Sequence, residues 1–119
     1  MLLVTGSRTI NDLPFIIDCL KETKEIYDYD TILTGGAGGV DWLAELYGRR
    51  NKINTFVVYP KWHKYGRRAG IMRNNDMVEM ANQGIAIWDG ISKGTKHCIS
   101  QLKKKGILLK VFEFNRLVL

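Results

Sequence analysis

The amino-acid sequence predicts an α/β protein, a Rossmann-like three-layer α/β/α sandwich built on a mostly parallel five-stranded sheet. Short apolar segments alternate along the 119 residues with segments whose apolar residues recur at helical spacing. The apolar segments lack polar alternation, which is typical of strands buried on both faces of a parallel sheet. No linker, repeat or low-complexity segment divides the chain, so residues 1–119 are predicted to form a single domain.

The first half of the chain alternates strands with helices. A β-rich run at 2–5 predicts the first strand, and Asp12 is placed to cap a helix that has Pro14 in its first turn. The segment "TILT" at 31–34 predicts the second strand. Apolar residues that recur at helical spacing from Val40 onward predict the second helix.

The second half continues this alternation. Further strands are predicted at 55–59, 84–88 and 107–114. Helices are predicted at 71–81 and from Thr95 to about Lys105, where Gly106 suits the residue that follows many helix ends. The segment 60–70 has no clear apolar period and is predicted to be a loop.

The charge balance of the chain is basic. Lys and Arg number 18 against 12 Asp and Glu, which gives a formal net charge of +6. This excess favours anionic partners such as nucleotides, phosphorylated metabolites or nucleic acid. A requirement for solubility accounts for it equally well.

Cysteines and histidines form no motif of their own. Cys19 and Cys98 make no CxxC pair, so they are predicted to be buried and reduced, as is typical of a cytoplasmic protein. His63 and His97 stand apart, and neither a metal nor another cofactor is predicted. No signal peptide or membrane-spanning segment is visible, which supports a cytoplasmic location without membrane contact.

Three polar loops that contain glycine are expected to meet at one edge of the sheet. They are "GSRT" after the first strand, "GGAGGVD" after the second and "DGISKGT" after the fourth. In open parallel sheets, ligands bind outside the carboxyl ends of the strands. The three loops together therefore predict a ligand site at that edge.

The glycine run "GGAGG" at 35–39 opens a helix, and two interpretations stay open. Bare backbone can serve a tight turn, or it can let a phosphate approach the N–H groups of the helix start. Asp41 can cap that helix or hold a ligand group such as a ribose hydroxyl. The spacing matches neither the dinucleotide GxGxxG motif nor the Walker A motif.

Other loop residues also have two interpretations. Arg8 can grip a phosphate or form a surface salt bridge. Ser92 and Thr95 can cap the last helix, or donate to a phosphate while Lys93 adds charge. The basic and aromatic segment 60–76 can hold a base between its rings or fold over the core.

Four motifs, in their order along the chain, resemble the SLOG superfamily. They are "VTGSR" (4–8), "TGGAGGVDWLAELYGRR" (34–50), "YPKWHKYGRRAGIMRNNDM" (59–77) and "WDGISKGTKHCI" (88–99). The superfamily takes in the DNA-processing protein A family and the Lonely Guy enzymes. The resemblance is greatest to the small YspA/YpsA-related branch.

The resemblance implies a Rossmann-like sheet that binds a nucleotide or nucleotide-derived ligand at the strand ends. The positions that it assigns to the site are Gly6, Ser7, Arg8, Gly35, Gly36, Gly38, Gly39, Asp41, Arg73, Asn74, Asp89, Ser92, Gly94 and Thr95. Lonely Guy enzymes carry a glutamate after the Gly-Thr of their "PGGxGTxxE" motif. Here His97 or Cys98 stands where that acid is needed, which weakens a phosphoribohydrolase assignment.

Three functions are therefore compared. The preferred hypothesis is a sensor or sequestering module that binds the ligand unchanged, with Trp62, Tyr65 or Trp88 stacking on its base. The alternative is a hydrolase of the N-glycosidic bond of a nucleotide, in which Asp41 or Asp89 would be catalytic. A weaker alternative is an accessory protein that binds single-stranded DNA, as DNA-processing protein A does.

A homo-oligomer is also expected, because SLOG relatives often form dimers. The apolar C-terminal segment 107–119 can supply an interface, or it can be an ordinary final strand with a short tail.

Overall fold

The computed structural model describes residues 1–114 as a five-stranded sheet flanked by helices. The strands are β1 (Leu2–Gly6), β2 (Thr31–Thr34), β3 (Asn54–Val57), β4 (Gln83–Trp88) and β5 (Leu108–Glu113). Their order across the sheet is β3-β2-β1-β4-β5, and every neighbouring pair is parallel. The predicted fold class is confirmed. Residues 115–119 of the apolar C-terminal segment lie outside the described residues.

The helices follow the predicted alternation. They are α1 (Leu13–Tyr27), α2 (Val40–Arg50), α3 (Trp62–Tyr65), α4 (Ala69–Met80) and α5 (Lys93–Lys105), with a 3₁₀ turn at Gly66–Arg68 between α3 and α4. As predicted, Asp12 caps α1: its carboxylate accepts from the N–H of Phe15 at 3.1 Å. Gly106 ends α5 in the left-handed conformation, with φ 77°.

The three central strands, β1, β2 and β4, bury both of their faces, which explains their continuous apolar sequences. Leu2 and Val4 of β1 lie in one core with Ile16 of α1 and Ala44 of α2. Leu3, whose side chain points the opposite way, lies in a second core whose helical members come from α4 and α5. The sheet is therefore the middle layer of three.

Both cysteines are buried, one in each core, and within residues 1–114 neither forms a disulfide. Burial raises the pKa of Cys98 to about 11 and that of Cys19 to about 12, so both stay protonated thiols at neutral pH. The prediction that both cysteines are buried is confirmed.

Several boundaries differ from the sequence prediction. The segment 60–70, predicted to be a loop, contains α3, the 3₁₀ turn and the start of α4. These turns are short and largely exposed, so they leave no apolar period in the sequence. Helix α5 begins at Lys93 rather than Thr95, because the carboxylate of Asp89 accepts from the N–H of Ser92 at 2.8 Å and fixes an earlier helix start.

The third strand ends at Val57, earlier than predicted. Val58 still donates its N–H to the carbonyl of Thr34 at 2.9 Å, after which the chain leaves the sheet towards α3. Within residues 1–114, no helix combines the length and the apolar composition that a membrane span needs.

Candidate functional site

The connections across the sheet change direction at its centre. From β1 the chain proceeds to β2 and β3 on one side, whereas β4 and β5 lie on the other side. The loops that follow β1 and β4 therefore diverge from each other at the carboxyl ends of these strands. Open parallel sheets form their ligand-binding crevices at such a point.

Ser7 ties together the elements that surround this crevice. Its side chain is fully buried, and its hydroxyl accepts from the N–H of Asp89 at 3.0 Å. Its carbonyl accepts from the N–H of Val40, the first residue of α2, at 3.3 Å. Ser7, predicted to line the site, instead holds the loops after β1 and β4 and the start of α2 in fixed relative positions.

A cavity of about 420 Å³ opens at the crevice. It lies within the size range of about 300–1,000 Å³ that is usual for small-molecule sites. Nine of its lining residues are predicted site residues: Gly6, Arg8, Asp41, Arg73, Asn74, Asp89, Ser92, Gly94 and Thr95. The sheet thus brings together residues from four separate segments of the chain.

A second, smaller depression of about 310 Å³ adjoins this cavity, and we call it the aromatic groove. Tyr59 and Trp62 line it together with Pro60 and the glycines Gly35, Gly36 and Gly38. Arg8, Ala37 and Arg73 line both the cavity and the groove. The two arginines therefore stand at the boundary between the two spaces.

Arg73 crosses from α4 to the glycine loop. Its guanidinium donates to the carbonyl of Gly35, and its Nε donates to Oδ1 of Asn74 at 2.9 Å. A Cβ atom at Gly35 would lie 2.6 Å from the guanidinium, so the arginine would have to shift if this residue carried a side chain. The contact fixes the cation at the edge of the cavity.

Asp41 lies buried behind the glycine loop, on the cavity wall. Its carboxylate accepts from the N–H of Ala37 at 3.1 Å. Burial raises the pKa of Asp41, and the opposing effects of that hydrogen bond and of the nearby Arg73 charge do not cancel the rise. Asp41 thus braces the loop through Ala37 and presents a carboxyl group that takes up a proton more readily than an exposed aspartate.

The glycines of the loop 35–39 are of two kinds, which correspond to the two interpretations of its sequence. Gly36 and Gly39 have φ of 72° and 66°, and a Cβ atom at Gly39 would lie 2.5 Å from the carbonyl oxygens of Ser7 and Arg8. These glycines are required by the turn. At Gly38, by contrast, no heavy atom of the described residues lies within 4 Å of the position that a Cβ would take. Gly38 lines the groove, so its bare backbone is open to a ligand.

Asp89 also lines the cavity, and hydrogen bonds stabilise the ionised form of its carboxyl group. It accepts from the N–H of Ser92 at 2.8 Å, from the N–H of Ile91 at 2.9 Å and from the hydroxyl of Thr9 at 2.8 Å. These hydrogen bonds, that of Ser92 above all, lower the pKa of Asp89 to about 2. The group is therefore ionised throughout the physiological range.

This lowered pKa predicts a measurable pH dependence of stability. The folded-state pKa lies below the value of about 3.9 for an unfolded aspartate, so Asp89 stabilises the fold above about pH 4 and loses this effect as the pH falls to 2. In urea unfolding, we expect wild type to exceed Asp89→Asn by about 1 kcal/mol at pH 5, a figure discounted for solvent exposure. The difference should close near pH 2, and a difference that stays constant with pH would contradict this origin.

The start of α5 faces the cavity. Thr95 is buried, and its hydroxyl lies 3.1 Å from that of Ser92, while Nδ2 of Asn74 donates to the carbonyl of Gly94 at 3.4 Å. The first N–H groups of a helix have no partner within the helix and carry partial positive charge. Gly94 leaves room before them, because no described heavy atom lies within 4 Å of the position of its absent Cβ.

Several predicted site residues lie apart from both spaces in the described part of the chain. Gly39 packs beneath the loop, and Lys93 lines neither the cavity nor the groove. The indole N–H of Trp88 donates to the carbonyl of Ser92 at 3.0 Å, so this ring holds the loop before α5. Trp88 and Tyr65 also line neither space, and their stacking role remains a prediction.

Sequence reasoning missed some lining residues. Thr5, Thr9, Ala37, Met77 and Ile91 also line the cavity, and Tyr59 lines the groove. Tyr59 and Thr9 follow strands β3 and β1 by only two or three residues, so their position at the carboxyl edge was a usable signal. The residues described hold no group of three or more histidine, cysteine or carboxylate side chains suited to a metal ion.

A doubly wound parallel sheet with a cavity at its carboxyl edge defines a Rossmann-like α/β protein. The sequence model of the YspA, cpYpsA-related SLOG family matches residues 1–65, and the chain belongs to this family. This confirms the resemblance predicted from the motifs.

The chain is similar to the Gene 61 protein of Mycobacterium phage D29. The two are 33% identical over 112 residues, which covers 88% of this chain and 90% of that protein. No solved structure shows significant similarity to the chain.

Proposed function

We propose that the protein binds a nucleotide or nucleotide-derived ligand in the cavity at the carboxyl edge of the sheet, as a sensor or sequestering module. The observation that carries this proposal is the convergence of two arginines and the start of α5 on one cavity. Arg8 and Arg73 contribute cationic donors, and Gly94 and Thr95 belong to the first turn of the helix. Such an arrangement suits a phosphate group.

The rest of the cavity suits the sugar of a nucleotide. The carboxylate of Asp89 is ionised and has about four acceptor positions, of which the described contacts use three. The remaining position is available to a ribose hydroxyl. Met77 and Ile91 add apolar surface for the flat face of a base.

Hydrolysis of the N-glycosidic bond is the second candidate, and one observation favours it. Asp41 and Asp89 line the same cavity, and their environments move their pKa values in opposite directions. Pairs of this kind often divide acid and stabilising roles between them. Against it, Cys98 lies in the apolar core and supplies no acid at the position that the Lonely Guy motif requires.

The test titrates the protein with AMP, GMP, CMP and UMP by calorimetry and then analyses each mixture by chromatography. We expect saturable binding that weakens about 10- to 100-fold in Arg8→Ala, since a charge-assisted hydrogen bond contributes about 1.5–3 kcal/mol. Arg50→Ala is the matched control, because Arg50 is exposed at the far end of α2, about 15 Å along the helix.

The outcomes separate the candidates. Recovery of unchanged nucleotide supports the binding module, whereas release of free base assigns hydrolysis. The proposal fails if none of the four nucleotides binds, or if Arg8→Ala and Arg50→Ala reduce affinity equally.

A further inference from the structure

The aromatic groove has space and surface that a mononucleotide in the cavity would not use. Its volume of about 310 Å³ approaches that of the cavity itself. The two spaces share Arg8 and Arg73 in their linings, so a ligand that occupies both would lie beside the two cations.

The walls of the groove are suited to a flat ring. Tyr59 and Trp62 are 63% and 50% exposed, although large aromatic side chains are normally buried by packing. The ring of Tyr59 lies over Gly36, where a Cβ atom would come within 2.5 Å of it. The glycine thus sets the position of this ring, and exposed aromatic rings in a groove are stacking surfaces for bases.

The charges at the boundary suit a linker of more than one phosphate. Arg8 and Arg73 each line both spaces, as does Ala37. Guanidinium groups bind phosphate oxygens through paired hydrogen bonds. A diphosphate would place one phosphate towards the start of α5 and the other towards the glycine loop.

We propose that the site takes a two-part ligand, a nucleotide whose diphosphate carries a second ring-bearing group into the aromatic groove. This inference rests on the proposed function and specifies its ligand class. Trp62 and Tyr59 bind the second ring, the two arginines bind the diphosphate, and the cavity holds the first nucleoside.

The test compares AMP, ADP and nicotinamide adenine dinucleotide by calorimetric titration of the full chain. We expect the dinucleotide to bind about tenfold or more tightly than AMP, since stacking on one aromatic side chain has roughly this effect. Trp62→Ala should remove that advantage and leave the affinities for AMP and ADP unchanged. Trp42→Ala is the matched control, because Trp42 is similarly exposed at 54% and lines neither space in the described chain.

Each outcome decides the inference. Equal affinities for AMP and the dinucleotide, or a dinucleotide affinity that Trp62→Ala does not change, would overturn it. A loss of AMP affinity in Trp62→Ala would also overturn it, because the groove would then hold the base of a mononucleotide. Failure of all three compounds to bind would instead reject the proposed function on which the inference rests.

Discussion

Arg73→Ala is expected to weaken nucleotide binding by at least about 100-fold and to lower the free energy of unfolding by about 2–3 kcal/mol. Arg73 lines both the cavity and the groove, so a bound phosphate would lose one of the two arginine cations shared by these spaces. The fold would lose the donor to the carbonyl of Gly35 and the positive charge beside Asp41, which is buried. Calorimetric titration and urea unfolding measure the two effects separately.

A double variant tests whether Arg73→Ala loses stability because the buried Asp41 loses its neighbouring positive charge. In Arg73→Ala/Asp41→Asn the buried group is a neutral amide, so we expect part of the lost stability to return while binding stays weak. Arg67→Ala is the control, since Arg67 is exposed in the 3₁₀ turn and lines neither the cavity nor the groove in the described chain. Binding by Arg73→Ala at wild-type affinity would show that this arginine is only structural.

Gly39→Ala is expected to destabilise the protein by about 3–4 kcal/mol, a large part of the 5–15 kcal/mol typical of a domain. The backbone of Gly39 has φ 66° and ψ −125°, a conformation that alanine adopts only with strain. The added Cβ would also meet the carbonyl oxygens of Ser7 and Arg8 at 2.5 Å. These are backbone atoms, so no side-chain rotation relieves the clash. Thermal or urea unfolding measures the loss.

Gly38→Ala provides the matched control in the same loop. Its methyl group enters open space, so we expect the unfolding free energy to change by less than about 0.5 kcal/mol. Because Gly38 lines the groove, the same methyl group should weaken a ligand that approaches the backbone there. Equal destabilisation by the two substitutions would contradict the assignment of separate roles to these glycines.

The sequence predicted the fold class because each strand is an apolar run and each long helix has an apolar face. It did not predict the helical turns between Trp62 and Arg68, which are exposed and rich in cations. It also placed the start of α5 two residues late, because that start depends on backbone N–H groups that donate to the carboxylate of Asp89 rather than on the helical residues themselves.

The sequence was sufficient to predict which loops form the candidate site. Parallel strands end at one edge, so the loops after β1, β2 and β4 had to meet there. Which residues face the ligand depends on packing between distant segments. Arg73 and Gly35 are separated by 38 positions, and their contact leaves no local pattern. Ser7 has the same loop environment as Arg8 but points into the protein.

Chemical-shift mapping by ¹H–¹⁵N NMR, with AMP added to saturation, tests the central claim most directly. The predicted result is that the largest shifts fall on the amides around the cavity, from Arg8, Asp89, Gly94 and Thr95. A different depression, between α4 and α5, is lined by Glu79, Gln101 and Lys104 and serves as the internal reference. Shifts concentrated there, or no shifts at saturating AMP, would contradict a nucleotide site at the carboxyl edge of the sheet.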